Sequence, residues 1–190
     1  MNRIEREPIS FTLRPSPFGL FALLWEDHAG QPKIRRILLS RPGLPAPQAV
    51  KETFPGIKSS TCIEIDALAD QIRAFLQGED IRFSLEKTRL DLCSTFQQNV
   101  LRAEHGIPRG SISTYQRIAR YLNRPSSARA VGMALARNPF PIIIPCHRAI
   151  CADGKLGGYQ AGLVMKRQLL EMEGITFDDS ECVTTRRYLY

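Results

Sequence analysis

The sequence predicts an α+β protein in two parts, a mixed strand-and-helix half followed by a mostly helical half. Three observations predict it. Short apolar runs rich in branched residues fall within the first 40 positions. Beyond residue 94 the apolar positions recur at helical spacing. The charge balance changes at the same place: residues 1–98 carry 13 basic and 12 acidic side chains, and residues 99–190 carry 13 basic and 7 acidic. At 190 residues the chain fits one large domain or two small ones. A boundary near Leu90 to Thr95 predicts domains of residues 1–93 and 94–190.

Phe11 to Leu13, Leu20 to Trp25 and Ile34 to Leu39 read as strands, with a turn at Asp27 to Gln31 around Gly30. Three strands in series predict an antiparallel meander. Pro42 to Pro47 is a Pro-rich connection, followed by a short helix at Gln48 to Phe54. Leu68, Ile72, Phe75 and Leu76 give a helix from Ile65 to Gln77, stopped by Gly78. Ile81 to Leu85 reads as a further strand.

In the second half, Phe96, Val100, Leu101 and Ala103 form the apolar side of a helix from Ser94 to Glu104. His105 to Gly110 is a loop. Ser113 with Gln116 reads as a capping box. Tyr115, Ile118, Ala119 and Leu122 then lie on one helical face. Asn123 to Ser126 breaks that helix. The next runs from Ser127 to Arg137, capped by Ser126 or Ser127 and ended by Asn138-Pro139. Two short helices joined this tightly predict a helix-turn-helix. The second is shaved: Ala128, Gly132 and Ala136 form one stripe, Ala130 and Ala134 another. Such a helix suits close approach to a surface as narrow as the DNA minor groove, about 6 Å wide.

The chemistry concentrates at Pro141 to Cys151. An apolar run, Ile142 to Ile144, ends at Pro145 and is followed by Cys146, His147 and Arg148. Cationic neighbours lower a thiol from its free pKa of about 8.5, and the thiolate is the reactive form. This pattern predicts a nucleophilic cysteine. Gly154 to Gly162 is glycine-rich but lacks the order of a phosphate-binding loop.

The net charge of +7 favours a polyanionic partner. From His105 to Ala152 there is no Asp, Glu or Lys, and seven arginines carry all the charge: Arg109, Arg117, Arg120, Arg124, Arg129, Arg137 and Arg148. Arginine grips phosphate and stacks on bases, so this stretch predicts a nucleic-acid face. The cysteine count is odd and no CxxC pair occurs, which argues against a disulfide framework and against a zinc site. Cys62, Cys93, Cys151 and Cys182 read as small core residues, and His28 and His105 as exposed loop residues. The charged N-terminus, Arg3 to Glu7, is unlike a signal peptide, and no run is long enough to span a membrane. The expected location is the cytoplasm, or the nucleus in a eukaryote.

Several motifs stand in order along the second half. They are Tyr115-Gln116, Ala128-Arg129-Ala130-Val131-Gly132, Asn138-Pro139, Ile144-Pro145-Cys146-His147-Arg148, Gly158-Tyr159 and Leu169 to Gly174. Together, from Phe96 to Gly174, they resemble the O6-alkylguanine-DNA alkyltransferases, also called methylated-DNA–protein-cysteine methyltransferases. The resemblance implies a ribonuclease-H-like N-terminal domain, and a C-terminal domain that binds duplex DNA through the minor groove. It implies single-turnover transfer of the alkyl group from O6 of an everted alkylguanine, and less so from O4 of alkylthymine, to the protein's own cysteine. No cofactor and no metal are expected, and the protein is expected to act as a monomer.

By the same resemblance Cys146 is the nucleophile, deprotonated by His147 through a water, with Glu173 orienting His147. Tyr115 donates toward the purine, and Arg129 fills the gap in the base stack, with Ala128, Ala130 and Gly132 against the DNA. Asn138 braces the turn between helix and active-site loop. Pro141 and Tyr159 wall the base pocket, and the main chain at Cys146, Ala149 and Gln160 reads the guanine edge. Two positions depart from the family pattern, Ala149 in place of a bulky aliphatic and Ala161 in place of a glycine. A damage sensor lacking the nucleophile, a major-groove transcription factor and a cysteine hydrolase fit less well. They conflict, in turn, with Cys146, with the shaved helix and with the absence of an oxyanion-hole signal.

Overall fold

A computed structural model describes residues 8–190, so the charged segment Arg3 to Glu7 lies outside the described residues. The architecture is α+β. Strands β1 (Ser10–Arg14), β2 (Phe21–His28) and β3 (Gln31–Leu39) form the expected antiparallel meander. A short β4 (Lys58–Ser59) joins β1 in parallel, giving the order β3-β2-β1-β4. Two residues are too few to leave a periodic signal, so β4 was not legible.

Strand β2 explains the layering. Its start, Phe-Ala-Leu-Leu, is apolar without alternation, as suits a strand covered on both faces. Ala22 and Leu24 pack with Ala46 and Val50 of helix α1 (Ala46–Thr53). Phe21 and Leu23 face the other way, into the main core with helix α2 (Ile63–Leu76). Pro45 at the N-cap and Pro47 in the first turn start α1 where their missing N–H groups are not needed.

Residues 81–85 form no strand. Ile81, Phe83 and Leu85 instead pack as an irregular segment against the main core. Branched apolar residues here serve packing rather than sheet pairing.

Helix α3 (Thr95–His105) starts as expected, with Ser94 Oγ accepting from the Gln97 N–H at 3.3 Å. His105 closes this helix and its Nε2 meets the Phe83 carbonyl at 2.8 Å, so it is not a free loop residue. Helices α4 (Tyr115–Tyr121) and α5 (Ala128–Ala136) form the tight pair, joined by a 3-10 turn at Pro125–Ser127. The expected capping box is absent. Thr114, not Ser113, caps α4, and its Oγ1 accepts from the Arg117 N–H at 3.1 Å. Ser113 is buried and donates to the Leu189 carbonyl, while Gln116 donates to the Pro125 carbonyl. Ser127 holds the N-cap position of α5 without a side-chain cap, because the 3-10 turn feeds that helix directly.

Strands β5 (Ser113–Thr114) and β6 (Ala149–Ile150) pair in parallel, and helix α6 (Leu163–Met172) closes the fold. The two halves share one core. Phe21, Ile37 and Phe75 cluster with Phe140, Ile142 and Ile143. The Ile37 N–H also donates to the Pro139 carbonyl at 2.8 Å, so the sheet edge grips the segment that leads to Cys146.

Candidate active site

Residues 138–150 form the loop that presents Cys146. Asn138 is buried and bridges it: Nδ2 donates to the Ile144 carbonyl at 2.9 Å, and Oδ1 accepts from the Phe140 N–H at 2.9 Å. Ile142 sits at φ +75°, a conformation costly for a β-branched residue. Complete burial of its side chain holds it there. A 3-10 turn, Cys146–Arg148, follows.

Above this turn opens a cavity of about 600 Å³, within the usual range for small-ligand sites. Cys146 lines it, together with Tyr115, Arg129, Gly132, Met133, Tyr159 and Gln160. The sequence-derived residues Cys146, Tyr115, Arg129, Gly132, Ala128, Tyr159 and Gln160 are thus brought together. Pro141 and Ala149 are not on the cavity wall. Both are buried, and the Ala149 carbonyl accepts from Lys166 at 2.6 Å. Ala130 is exposed on α5 but outside the cavity. The Gln160 side chain is tied down, with Nε2 donating to the Asn138 carbonyl at 3.2 Å.

His147 and Glu173 are both buried, and Nε2 lies 2.9 Å from Glu173 Oε1. Burial raises the Glu173 carboxyl, but His147 and Arg148 outweigh it and hold the group at about 2. Burial lowers the imidazole, only partly opposed by Glu173, so it is neutral at pH 7. With Glu173 an acceptor, Nε2 carries the ring proton, and Nδ1 is left as a basic nitrogen. Nδ1 is buried and has no hydrogen-bond partner among the described residues.

Arg148 overturns the expectation that it lowers the Cys146 pKa. Its guanidinium clamps Glu173 through Nε to Oε2 at 2.9 Å and through Nη2 to Oε1 at 2.7 Å, while Nη1 donates to the Ile107 carbonyl at 2.6 Å. The thiol is pushed up to about 11 by burial, against a smaller lowering by the Asn138 side chain. Cys146 therefore rests as a thiol. Tyr115 is likewise raised, by burial and then by Cys151, Glu104 and Cys146, and stays a proton donor.

Cys151 is half-exposed and lines the same cavity, so it is not a core residue. Cys62 and Cys93 are partly buried and pack against the main core, and Cys182 is partly buried outside it. Gly157, at φ +67°, has a steric role, because a Cβ there would lie 2.6 Å from the Tyr115 hydroxyl and 3.2 Å from Cys151 Sγ.

The arginine stretch divides. Arg109 staples the ends of α2 and α6, donating to the Gly78 and Met172 carbonyls at 2.9 Å each. Arg117 stacks on Tyr188 and Arg124 on Phe96. Arg148 is buried. Arg120, Arg129 and Arg137 are exposed and make no ion pair among the described residues. Arg129 and Met133 on α5, and Arg137 at its C-cap, are exposed at four-residue spacing.

Sequence reasoning missed Arg148 as a clamp, and also Glu104 and Lys166, both fully buried behind the cavity floor. A signal existed for the last two. Glu104 falls on the Val100–Leu101 apolar face, and Lys166 falls between Met165 and Leu169 on the buried side of α6.

The chain's likeness to known proteins agrees with this geometry. The family described as "6-O-methylguanine DNA methyltransferase, DNA binding domain" matches residues 95–175. A methylated-DNA–protein-cysteine methyltransferase of Methanothermobacter thermautotrophicus is 44% identical over 120 residues, 63% of this chain and 67% of that one. Its namesake from Mycobacterium leprae is 44% identical over 130 residues, covering 66% and 77%. A crystal structure of Mycobacterium tuberculosis OGT in complex with DNA superimposes with a TM-score of 0.67 and 33% identity, over 86% of this chain and 92% of that chain.

Proposed function

The chain belongs to the methylated-DNA–protein-cysteine methyltransferase family, and from that premise we propose that it repairs DNA by moving the alkyl group of an O6-alkylguanine onto the sulfur of Cys146. One observation carries the reading. Cys146 lines an open cavity, and the residue that follows it, His147, has Nε2 held by Glu173 and Nδ1 without a hydrogen-bond partner among the described residues.

In the proposed reaction the thiol proton passes through a bridging water to His147 Nδ1. The sulfur forms a bond to the alkyl carbon, and the carbon–O6 bond breaks with its electron pair going to the purine. Tyr115 gives a proton to the ring as negative charge develops, and recovers one from His147, so the thiol proton ends on guanine. The product thioether has no carbonyl for water to attack, so each molecule reacts once and no cofactor takes part. A resting thiol fits this scheme, because an anion exposed in an empty cavity would be consumed by other electrophiles.

The target atom is buried in a base pair, so the nucleotide must leave the stack, at a few kcal/mol. The proposal places α5 in the minor groove, with Arg129 in the vacated space and Arg137 near a phosphate. One chain supplies the whole site, in keeping with action as a monomer. The division at residue 93 belongs to the same proposal, supported by the family match from residue 95.

The test is incubation with duplex DNA carrying O6-methylguanine, followed by mass spectrometry of the Cys146 peptide. One added methyl group is expected there. Cys146→Ser is expected to abolish transfer while DNA binding remains, and transfer retained by that variant overturns the assignment.

A further inference from the structure

A second cavity, of about 530 Å³, opens where the two halves of the chain meet, and the scheme above gives it no part. Arg35, Arg36 and Arg89 line it from the N-terminal half, and Gln97, Arg137 and Gln160 from the C-terminal half. No acidic residue lines it. Buried Glu26 pairs with Arg35 at 2.8 Å and also with Arg89, and Asp91 pairs with Arg89 at 2.8 Å. Arg36 and Arg137 are exposed and form no ion pair among the described residues. Four guanidinium groups thus stand against two carboxylates, and the two that lack a carboxylate face solvent.

The fold builds this wall. Neighbouring residues of a regular strand face opposite sides. On β3 a bulge at Arg35, opposite Leu24 and Trp25 of β2, interrupts that alternation, and both Arg35 and Arg36 line the cleft. At the next residue the Ile37 N–H donates to the Pro139 carbonyl at 2.8 Å. From α3, Gln97 Nε2 donates to the Arg137 carbonyl at 3.1 Å. These two bonds hold the Arg36 side of the cleft against the Arg137 side.

Its position says what the cleft can hold. Ala136 and Gln160 line both this cleft and the cavity of Cys146, so the two open side by side at the end of α5. Arg137, the C-cap of α5, lies about 12 Å along the helix from Arg129. DNA laid along α5 over the Cys146 cavity therefore brings its backbone to the cleft. Duplex DNA carries one negative charge per about 1.7 Å of its length, and guanidinium groups grip phosphate oxygens in pairs.

We propose that this arginine cleft holds the sugar–phosphate backbone of the DNA flanking the lesion, so that the N-terminal half takes part in DNA binding through Arg36. This rests on α5 lying against DNA, as proposed above, and not on the chemistry at Cys146.

The test is equilibrium binding of an O6-methylguanine duplex, read by fluorescence anisotropy from about 50 to about 300 mM salt. Cys146→Ser protein is the parent, so that no transfer intervenes. The logarithm of affinity falls against the logarithm of salt by about 0.9 for each phosphate engaged. Arg36→Gln in this parent is expected to flatten the slope by about 0.9 and to weaken binding about threefold or more at the low-salt end. Arg36→Lys keeps the charge and is expected to keep the slope. Lys58→Gln is the control, because Lys58 is exposed on β4 at the opposite edge of the sheet. It is expected to change neither quantity. A slope for Arg36→Gln equal to the parent's overturns the inference. Equal flattening by Lys58→Gln overturns it too, since any lost charge then has the same effect. The two readings fail separately. Arg36-dependent binding by a protein whose Cys146 gains no methyl upholds the cleft and overturns alkyl transfer. A methylated Cys146 with binding indifferent to Arg36 does the reverse.

Discussion

Glu173 and Glu104 are two buried carboxyl groups, both within the influence of Arg148, that end in opposite protonation states. Glu173 accepts from a guanidinium and an imidazole, and neither Glu104 oxygen has a hydrogen-bond partner among the described residues. His147 and Arg148 lower Glu173 by charge and by hydrogen bonds more than burial raises it, whereas burial outweighs the smaller pull of Lys166 and Arg148 on Glu104. The sign of the pH effect follows for Glu173. Its folded value, about 2, lies below the unfolded value of about 4.3. Its stabilisation is complete above about pH 4.3 and disappears as the pH falls through about 2. Denaturant midpoints are expected to show Glu173→Gln less stable than wild type at neutral pH, with the gap closing below about pH 4. At Asn138, two buried hydrogen bonds join the ends of the cysteine loop. Asn138→Ala leaves an N–H and a carbonyl unsatisfied and is expected to cost about 2–4 kcal/mol. Calorimetry reads that loss, and transfer assays are expected to show a lower rate from a loosened Cys146.

At the scale of elements, α5 and the glycine loop set access to the cavity. Arg129→Ala is expected to slow transfer from duplex DNA far more than transfer from the free modified base, since only the duplex needs the gap filled. An equal effect on both substrates would remove the wedge role. Gly157→Ala is expected to keep the fold but displace the Tyr115 hydroxyl, lowering single-turnover transfer by about tenfold or more. Intact α4 and α5 in a circular dichroism spectrum would show that the loss is local. The helices themselves were legible, because Tyr115, Ile118 and Ala119 repeat at helical spacing. The cap residue was not, since Ser113 and Thr114 are adjacent hydroxyls and only the β5–β6 pairing decides which one is drawn inside. The arginine stretch shows the same limit. Spacing alone does not separate Arg129, in solvent, from Arg109 and Arg148, which tie main chain together. The proposed catalytic group was readable because its members sit in short motifs. Glu104 and Lys166 were not, because sixty-odd residues separate two charges that only the packing of α3 and α6 brings to one place.

On the scale of the whole molecule, the N-terminal half supports the chemistry from behind. Phe75 of α2 is fully buried, and its ring centre lies 6.2 Å from that of His147. Phe75→Ala is expected to cost about 3–5 kcal/mol through the cavity it opens. It is also expected to slow transfer, although no atom of Phe75 reaches the substrate cavity. Chemical denaturation and single-turnover kinetics on the same variant check both effects. The hydrogen bond from Ile37 to Pro139 has a further consequence, for the order in which the protein is made. On the ribosome, β3 emerges about a hundred residues before its partner segment. At about 5–20 residues per second the nascent sheet waits several seconds with part of its apolar face uncovered. Emergence of the segment around Pro139, rather than formation of the first strands, is thus the event that covers this edge of the sheet.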